Sequence, residues 1–458
     1  MRRCVARRRN PTRRTGAARG RAGRLPIGMA LGAALGALGA CTVVTMPPST
    51  PEPRVRVGPA PERDAVEIAI DPVRSFDEVR ALWVVRFTMT SEESVLAMIE
   101  RADRAGINTL LVQVRGRADA FYESELEPRG EAMQASEGFD PLALTIEEAH
   151  RRGMAVHAWV NTHLVWGPTE RPQSEDHLVN RHPDWLAVPR ELGRELVAVD
   201  PFDPRFVDRL VAHALQNDHA VEGIYSSPSH PSVQDRVHRV WLDLARRYDL
   251  DGIHFDYIRF PSADYDYSLG ALERFRLWVR GSLASARFAE LDRAYGTDLY
   301  AFVDGEPERW DDFRREQVTR LVQRVYADVK TVKPRLVVSA AVIADTELAF
   351  DDRFQDWPGW LRTGMLDIAV PMAYTPDPEL FASLIDDART AAGEPARVWA
   401  GIGAYMNTTD GTLRMIDLAR SRGAGGIVLF SYDWAVGDGQ GDPRDPFLQR
   451  VGRARFAR

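Results

Sequence analysis

Cysteine is nearly absent from this sequence. Its 458 residues include only two, Cys4 and Cys41. Because both lie within the first 41 residues, the rest of the chain can form neither an internal disulfide nor a cysteine-ligated metal site.

The signature motifs of several enzyme classes are also missing. The chain has no G-x-S-x-G turn, no H-E-x-x-H helix and no glycine-rich phosphate loop. The histidine pairs His150/His157 and His177/His182 lack a carboxylate at a useful spacing. We therefore expect neither a metal nor a cofactor.

Acidic residues are missing from the N-terminus, which is typical of an export signal. Residues 1–24 contain ten arginines, and an apolar stretch, Leu25 to Ala40, follows. This stretch is too short to span a bilayer comfortably, so we predict a signal peptide over residues 1–40. Leu38-Gly39-Ala40-Cys41 resembles a bacterial lipobox, whose cysteine is lipidated and begins the mature chain. A plain secretory signal is the alternative.

Removal of this signal changes the charge of the protein. The whole chain carries a formal charge of −7, and loss of the N-terminal arginines makes it more acidic. An acidic surface argues against nucleic acid as a partner. We expect an exported protein of the cell envelope that contacts the membrane through a lipid anchor.

The remaining sequence divides into a linker and one large domain. Residues 41–75 are rich in proline and read as a solvated linker. Residues 76–458 alternate eight buried-strand patterns with helical segments, which predicts a (β/α)8 barrel. A doubly wound open sheet is the alternative, but no strand is followed by a glycine-rich phosphate turn. The predicted strands are Ala81–Phe87, Thr109–Arg115, Ala155–Asn161, Gly252–Phe260, Leu336–Val342, Ile368–Tyr374, Arg397–Tyr405 and Gly426–Tyr432.

The loops of this barrel differ in length. Residues 163–250 are longer than one crossover needs, so we predict an excursion after the third strand, with short strands around Leu196–Val199 and Val221–Tyr225. We predict one helix, Leu272–Arg293, in the loop after the fourth strand. Thr90-x-x-Glu93 predicts a capping box for the first helix, and Asp140-Pro141 predicts the start of the second.

The fourth strand carries the first catalytic candidate. The active site of such a barrel lies at the C-terminal ends of its strands, and alternate residues of a strand share a face. Asp256 would therefore lie above His254, and a protonated His254 would keep it ionised. An ionised carboxylate can stabilise an oxocarbenium-like transition state. His254, Tyr257 and Arg259 are candidate substrate-binding residues, and a buried structural role for Asp256 is the alternative.

Polar and aromatic residues also end the other strands. A Trp and an amide at a barrel mouth suit a sugar, since one packs on its C–H face and the other binds its hydroxyls. Core packing is the alternative for each residue alone. The candidate binding residues are Gln113, Arg115, His157, Trp159, Asn161, Tyr374, Tyr405 and Trp434.

A glycosidase needs a second carboxyl group within about 5–9.5 Å of the first. Asp119, in the loop after the second strand, and Asp345, after the fifth, are the two candidates. Asp119 could equally be a solvated loop residue paired with Arg117.

Several motifs together resemble the bacterial family-ten glycosyl-hydrolase-like domain. They occur in the order of that family from about Arg80 onward: Leu82-Trp83-Val84, Gln113-Val114-Arg115, Asp119-Ala120-Phe121-Tyr122, Phe139-Asp140-Pro141-Leu142, His157-Ala158-Trp159-Val160-Asn161, His182-Pro183-Asp184-Trp185, Asp251-Gly252-Ile253-His254-Phe255-Asp256-Tyr257 and Trp399-Ala400-Gly401-Ile402.

The resemblance implies a barrel with glycoside hydrolase activity, and some members of the family are envelope lipoproteins that cleave peptidoglycan strands lacking stem peptides. It carries the family's two aspartates onto Asp256 and Asp119. The chain departs from the family at Tyr257, where a second acid often stands, and has Ile258 where a chitinase has its catalytic acid. We therefore expect a glycosidase that uses Asp256, or alternatively an inactive barrel that binds glycan.

Overall fold

The structure is a computed structural model that describes residues 76–133, 138–167, 170–218, 220–436 and 446–456. The predicted signal peptide and linker lie outside the described residues, and so does Cys41.

A barrel of eight parallel strands forms the centre of the domain, as the sequence predicts. The sheet has the order β8-β7-β6-β3-β2-β1-β10-β9. Its two outer strands meet through parallel bridges from Ala369 to Val398 and from Met372 to Gly401, which close the barrel. The strands are β1 Val79–Val84, β2 Thr109–Arg115, β3 Ala155–Asn161, β6 Gly252–Asp256, β7 Val337–Val342, β8 Ile368–Pro371, β9 Trp399–Gly403 and β10 Gly426–Phe430, while β4 Leu164–Trp166 and β5 Ile224–Tyr225 form a separate pair.

All eight predicted strands are present, and β2 and β3 have the predicted bounds. The fourth barrel strand, β6, ends at Asp256 rather than at Phe260. The reason is local, because Tyr257 has a φ of 49°, in the left-handed region that turns the chain out of the strand. The prediction missed this turn because Tyr257 is not a residue type that favours positive φ.

Two layers of side chains fill the space around the sheet. Those that point outward pack under the helices in one large apolar core. Those that point inward form a smaller cluster inside the barrel, which includes Trp83, Leu111, Trp159, Val370 and Trp399. The barrel is thus a packed core, and a site is expected at its C-terminal mouth.

The helices begin and end where local chemistry permits. Asp140 accepts hydrogen bonds from the backbone N–H groups of Leu142 and Ala143, which confirms the predicted start of α2. The predicted capping box of α1 is wrong by one residue, because Ser91 and Ser94 form it. The helices are α1 Glu92–Arg104, α2 Pro141–Arg151, α3 Leu178–Arg181, α4 Arg190–Leu196, α5 Pro204–Gln216, α6 Pro231–Arg247, α7 Leu269–Ser282, α8 Ser285–Tyr295, α9 Leu299–Gly305, α10 Pro307–Val332, α11 Thr346–Asp351, α12 Trp357–Arg362, α13 Pro378–Ala392, α14 Thr409–Ser421, α15 Tyr432–Val436 and α16 Phe447–Val451.

The excursion after the third strand holds one of the two predicted short strands. β5 pairs antiparallel with β4, within the predicted segment Val221–Tyr225. The segment Leu196–Val199 is not a strand. Leu192 and Leu196 instead lie on one face of α4 and pack into an apolar cluster of the excursion.

The loop after the fourth strand is more helical than predicted. Instead of one helix it holds α7, α8 and α9, with a break at Leu283 and Ala284. These helices enclose an apolar cluster of their own around Phe275 and Trp310. Within the described part of the chain, no helix is both long and apolar enough to cross a membrane.

Candidate active site

A group of buried polar and aromatic residues, which we call the lower layer, fills the barrel beneath its mouth. Trp83 Nε1 donates to His254 Nε2 at 3.0 Å, so the ring proton of His254 lies on Nδ1, which is 2.9 Å from Ser339 Oγ. Ser339 Oγ donates in turn to the carbonyl of Ile253. The lower layer consists of Trp83, His157, His254, Ser339 and Trp399.

The lower layer is neutral. Burial lowers the pKa of His254 well below its ordinary value, and it lowers the pKa of His157 to about 4. His157 packs beside Trp399 and against Gly252, where a Cβ would come within 2.4 Å of its Nδ1. Both histidines are sealed from solvent. The expectation that a protonated His254 keeps Asp256 ionised is therefore wrong.

Asp256 lies at the end of β6, above the lower layer. Its Oδ2 accepts from Trp159 Nε1 at 3.1 Å, and its Oδ1 accepts from the backbone N–H of Tyr257 at 2.7 Å. Arg259 Nη1 lies 3.4 Å from the same Oδ1. Burial raises the pKa of Asp256, and this effect outweighs that of Arg259 and the two other donors. Protonation of Asp256 is therefore easier than that of a solvated aspartate.

A second carboxyl group, that of Glu222, lies on the other side of Arg259 from Asp256. Arg259 Nη2 lies 3.5 Å from Glu222 Oε1, and Tyr225 donates to Glu222 Oε2 at 2.6 Å. With these two ion-pair distances, the nearest oxygens of Asp256 and Glu222 lie no more than about 9 Å apart, inside the upper limit of about 9.5 Å for a glycosidase pair. Burial acts to raise the pKa of Glu222, but Arg259 and Tyr225 bring it below its ordinary value.

The positive φ of Tyr257 brings these groups together. The turn places the Tyr257 ring 4.3 Å from the Arg259 guanidinium carbon and 6.0 Å from the Tyr225 ring. The stacked guanidinium is held between both carboxyl groups and is only 5% exposed. Tyr257 and Arg259 therefore orient Asp256 and Glu222 rather than stand apart as independent sugar contacts.

Aromatic rings form one wall of the mouth. Tyr374, Tyr405 and Trp159 each contact Phe430, with ring centroids 5.6–6.4 Å apart. Tyr405 is 45% exposed and faces solvent, whereas Trp159 is buried. Trp434 is not part of this wall, because it lies on α15 and packs on Phe447. On this wall the structure thus brings together Trp159, Tyr374 and Tyr405, which the sequence named, and adds Phe430.

The paired amides of the mouth bind protein groups. Gln113 Nε2 donates to Asn161 Oδ1, and Asn161 Nδ2 donates to the carbonyl of Gly116. Gln113 Oε1 accepts from the backbone N–H and from Nη1 of Arg86. These amides hold the first two loops in place.

Arg115 is fully buried below these loops. It pairs with Glu127 at 3.1 Å and donates to the carbonyls of Asn161 and Thr162. The pairing register of β2 with β3 shifts between Gln113 and Arg115, so the two side chains have different neighbours. Arg115 thus joins β2 to the end of β3.

The other two predicted carboxylates lie in loops. Asp119 Oδ1 accepts from the backbone N–H groups of Gly116 and Arg117, and Asp119 lines a groove beside the mouth. Asp345 caps α11 by accepting from the N–H groups of Glu347 and Leu348. Asp345 thus has a structural task, whereas Asp119 stands at the rim.

The sequence analysis missed Glu222, Arg86 and Phe430. Glu222 lies in the excursion, 34 positions before Asp256, and no periodicity relates the two. Phe430 ends β10 and could have been found by the same rule that named Tyr374. In the part of the chain that is described, no group of three or more His, Cys, Asp or Glu side chains is arranged to hold a metal ion.

Comparison with known proteins gives a family match over most of this barrel. The family model described as glycosyl hydrolase-like 10 matches residues 78–405. The chain is 24% identical to the glycosyl hydrolase YngK of Bacillus subtilis (strain 168) over 330 residues, which cover 65% of this chain and 54% of that protein. It is 28% identical to the glycosyl hydrolase DigH of Escherichia coli (strain K12) over 301 residues, 61% of this chain and 58% of that protein. It thus spans little more than half the length of these relatives.

Solved structures share the fold. The glycoside hydrolase domain of PgaB (BpsB) from Bordetella bronchiseptica superimposes with a TM-score of 0.52 at 14% identity, over 78% of this chain and 95% of that one. A β-galactosidase from G. stearothermophilus gives 0.54 at 14% identity, over 83% and 57%. At this identity the likeness concerns the fold, and it confirms the predicted barrel.

Proposed function

The chain belongs to the glycosyl hydrolase-like 10 family, and we propose that it is a glycoside hydrolase that cleaves the glycan strands of peptidoglycan. The observation that supports hydrolysis is the pair of carboxyl groups, Asp256 and Glu222, held on either side of Arg259 at the barrel mouth. A barrel that only binds glycan needs no such pair.

The environments of the two carboxyl groups suggest a division of roles. Burial raises the pKa of Asp256, while Arg259 and Tyr225 help to lower that of Glu222. A pair whose pKa values are pushed apart can supply one acid and one base. In this proposal Asp256 protonates the glycosidic oxygen as the bond to the anomeric carbon breaks. Ionised Glu222 stabilises the positive charge that develops there, or activates the attacking water.

The position of Arg259 between the two carboxyl groups is consistent with these separate roles. Its positive charge favours the ionised forms of both groups, but Asp256 is the more deeply buried of the two. Glu222 is about half exposed and can meet a water or a sugar ring, whereas Asp256 has little room for solvent. Arg259 is thus a positioning residue.

The substrate and the location rest on the sequence. The resemblance described above includes envelope lipoproteins that cleave peptidoglycan, and Leu38–Cys41 would provide the anchor. We propose export and lipidation of Cys41 as part of this function. Labelled fatty acid should enter the wild-type protein in cells and not the Cys41→Ala variant, and equal labelling of both would contradict the anchor.

Incubation of the purified protein with peptide-free glycan strands tests the hydrolysis. Mass spectrometry should detect shorter strands with new reducing ends, and one sugar type should carry them if a single linkage is cleaved. A protein that binds the strands and releases no fragments would be a glycan-binding barrel without activity.

A further inference from the structure

Two arginines near the catalytic pair form no ion pair with a carboxylate of the described residues. Arg86 follows β1 and Arg117 lies in the loop after β2, and neither forms an ion pair with any residue that the structure describes. Arg115, only two residues before Arg117, is paired with Glu127. Unpaired guanidinium groups are costly where they are partly buried, so their position calls for an explanation.

Arg86 is built into its place. Gln113 Oε1 accepts from its backbone N–H and from its Nη1. Its side chain lies on Gly116, where a Cβ would come within 2.2 Å of Arg86 Cδ. Burial lowers the pKa of Arg86, the charge of Asp119 only partly offsets this, and Arg117 lowers it further, so an added negative charge would stabilise this guanidinium.

The backbone of Arg117 is fixed by neighbours on both sides. Asp119 Oδ1 accepts from its N–H, and His177 Nε2 lies 2.6 Å from its carbonyl oxygen. The Asp119 carboxylate therefore holds the backbone of Arg117 and forms no ion pair with its guanidinium. Arg117 Nη1 donates to the carbonyl of Gly116, which leaves the other N–H groups of the fork for a ligand.

Both arginines line a groove that is close to the catalytic pair. It has a volume of about 340 Å³, and it also contains Asp119, Phe87 and Trp166. The charges of Arg86 and Arg117 reach Tyr257, the residue that follows Asp256. Asn161, the in-register neighbour of Asp256, also donates to the carbonyl of Gly116 beside Arg117, so the groove lies next to the end of β6.

The ring of Phe87 gives the groove a surface for a sugar. Phe87 is 60% exposed, and the guanidinium carbon of Arg86 lies 4.4 Å from the ring centroid. Exposed aromatic rings pack well against the C–H face of a sugar. The groove thus offers an apolar face next to two cationic groups.

We propose that this groove is a substrate subsite that binds a sugar bearing a carboxylate, with Arg86 and Arg117 as its charge-reading residues. The inference deepens the proposed function and rests on it. Guanidinium groups bind carboxylates through short, charge-assisted hydrogen bonds. Asp119, Glu131 and Glu170 also line the groove, so a single carboxylate fits it better than a doubly charged phosphate. The lactyl group of muramic acid and the C6 carboxylate of a hexuronic acid share this chemistry.

Binding measurements on matched glycans test the subsite. The ligands are peptide-free peptidoglycan strands, the same strands with their carboxyl groups reduced to alcohols, neutral chitooligosaccharides and oligogalacturonates. The Asp256→Asn protein is titrated with each ligand by calorimetry, so that the strands stay intact. We expect reduction of the carboxylates to weaken binding by about tenfold or more, the scale of one hydrogen bond to a charged group.

Variants of the arginines identify the site. Arg117→Gln and Arg86→Gln should each weaken binding of the carboxylate strands by about tenfold or more and leave binding of the reduced strands within about twofold. Arg280→Gln, on the exposed surface of α7, is the matched control and should change neither. Arg117→Lys should recover part of the affinity. If Arg86→Gln unfolds the protein, Arg117→Gln still decides the question.

The outcomes separate this inference from the proposed function. Equal affinity for intact and reduced strands, or a loss of affinity for both in the Arg117→Gln protein, would overturn the subsite. Wild-type protein that binds carboxylate strands through these arginines and releases no fragments would support the subsite and contradict hydrolysis. Tighter binding of oligogalacturonates than of peptidoglycan strands would support the carboxylate subsite and point to a uronic acid polymer.

Discussion

The barrel contains two polar levels on the same strands, and they differ in what surrounds them. His254 and Asp256 are two residues apart on β6 and share a face. The imidazole of His254 is fully buried, and its two nitrogens contact Trp83 and Ser339. The carboxyl group of Asp256, one step nearer the mouth, forms an ion pair with Arg259, whose other side faces Glu222.

The difference shows that position along a barrel strand decides the task of a polar residue. In the lower layer both ring nitrogens of His254 have partners and burial keeps the ring neutral, so His254 contributes to packing and stability. At the mouth the strand ends, and the loop after it brings the charge of Arg259 to Asp256. A residue can therefore lie on the correct face of the correct strand and still be one level too deep to touch a substrate.

The largest effect that this comparison predicts is at Asp256. We expect Asp256→Asn to lower kcat on glycan strands by several orders of magnitude, because the amide keeps the shape and has no proton to give. The folded pKa of Asp256 is raised, so any stability linked to it is present at low pH and lost as pH rises through that pKa. The variant should therefore be at least as stable as the wild type at neutral pH.

Turnover and thermal unfolding measured on the same protein check this prediction. A purely structural Asp256 would give the opposite pattern, with a lower melting temperature and near wild-type turnover per folded molecule.

The next effect concerns Glu222. We expect Glu222→Gln to lower kcat by about 10²–10⁴-fold, the range for loss of an acid–base group. Because the pKa of Glu222 is lowered, its ionised form is lost only at acidic pH. The wild-type rate should therefore fall at low pH as Glu222 gains a proton, and at high pH as Asp256 loses one. Glu191→Gln, an exposed acid of the excursion, is a matched control.

A pH profile of kcat for the wild type, the Glu222→Gln variant and the Glu191→Gln control tests this prediction. An unchanged acidic limb in the Glu222→Gln protein would remove Glu222 from the reaction and return Asp119 as the second carboxyl candidate.

Substitution of His254 should lower the stability of the protein and leave its turnover nearly unchanged. We expect His254→Leu to lower the free energy of unfolding by about 2–4 kcal/mol, because Trp83 Nε1 loses its acceptor and the packing changes. Turnover per folded molecule should stay within about threefold. Ser339→Ala keeps the bond from Trp83 to His254 but leaves His254 Nδ1–H without an acceptor and removes the bond to the Ile253 carbonyl, so it should cost about 1–3 kcal/mol. Urea unfolding gives both values, and a loss of turnover without a loss of stability would place His254 in the reaction.

The barrel strands and several residues of the mouth could be predicted from the sequence, but the contacts between loops could not. Alternation along β3 and β6 placed Trp159 and Asp256 correctly, since strand geometry fixes which side chains share a face. Glu222 and Arg86 depend on how an excursion and a short loop fold over the barrel, and no local pattern records that. The depth of His254 also requires the structure, because a strand pattern gives the face of a residue and not its distance from the mouth.

The smallest effect is at the aromatic wall. Tyr405→Ala should raise KM by about fivefold, or about 1 kcal/mol, because an exposed ring contributes one face to a sugar. Trp434→Ala is its counterpart outside the mouth, since it would remove packing on Phe447. It should lower the melting temperature and leave KM within about twofold. Steady-state kinetics and thermal unfolding on both variants separate the two positions, and equal changes in KM would show that Trp434 also contacts the substrate.

The most direct test of the account is the leaving-group dependence of the Asp256→Asn protein. Its rate is compared with that of the wild type on glycan strands and on an aryl glycoside of the same disaccharide whose phenol leaves without protonation. If Asp256 gives the proton, the defect should shrink from several orders of magnitude on strands to about tenfold on the aryl glycoside. A defect of the same size on both substrates would contradict Asp256 as the proton donor.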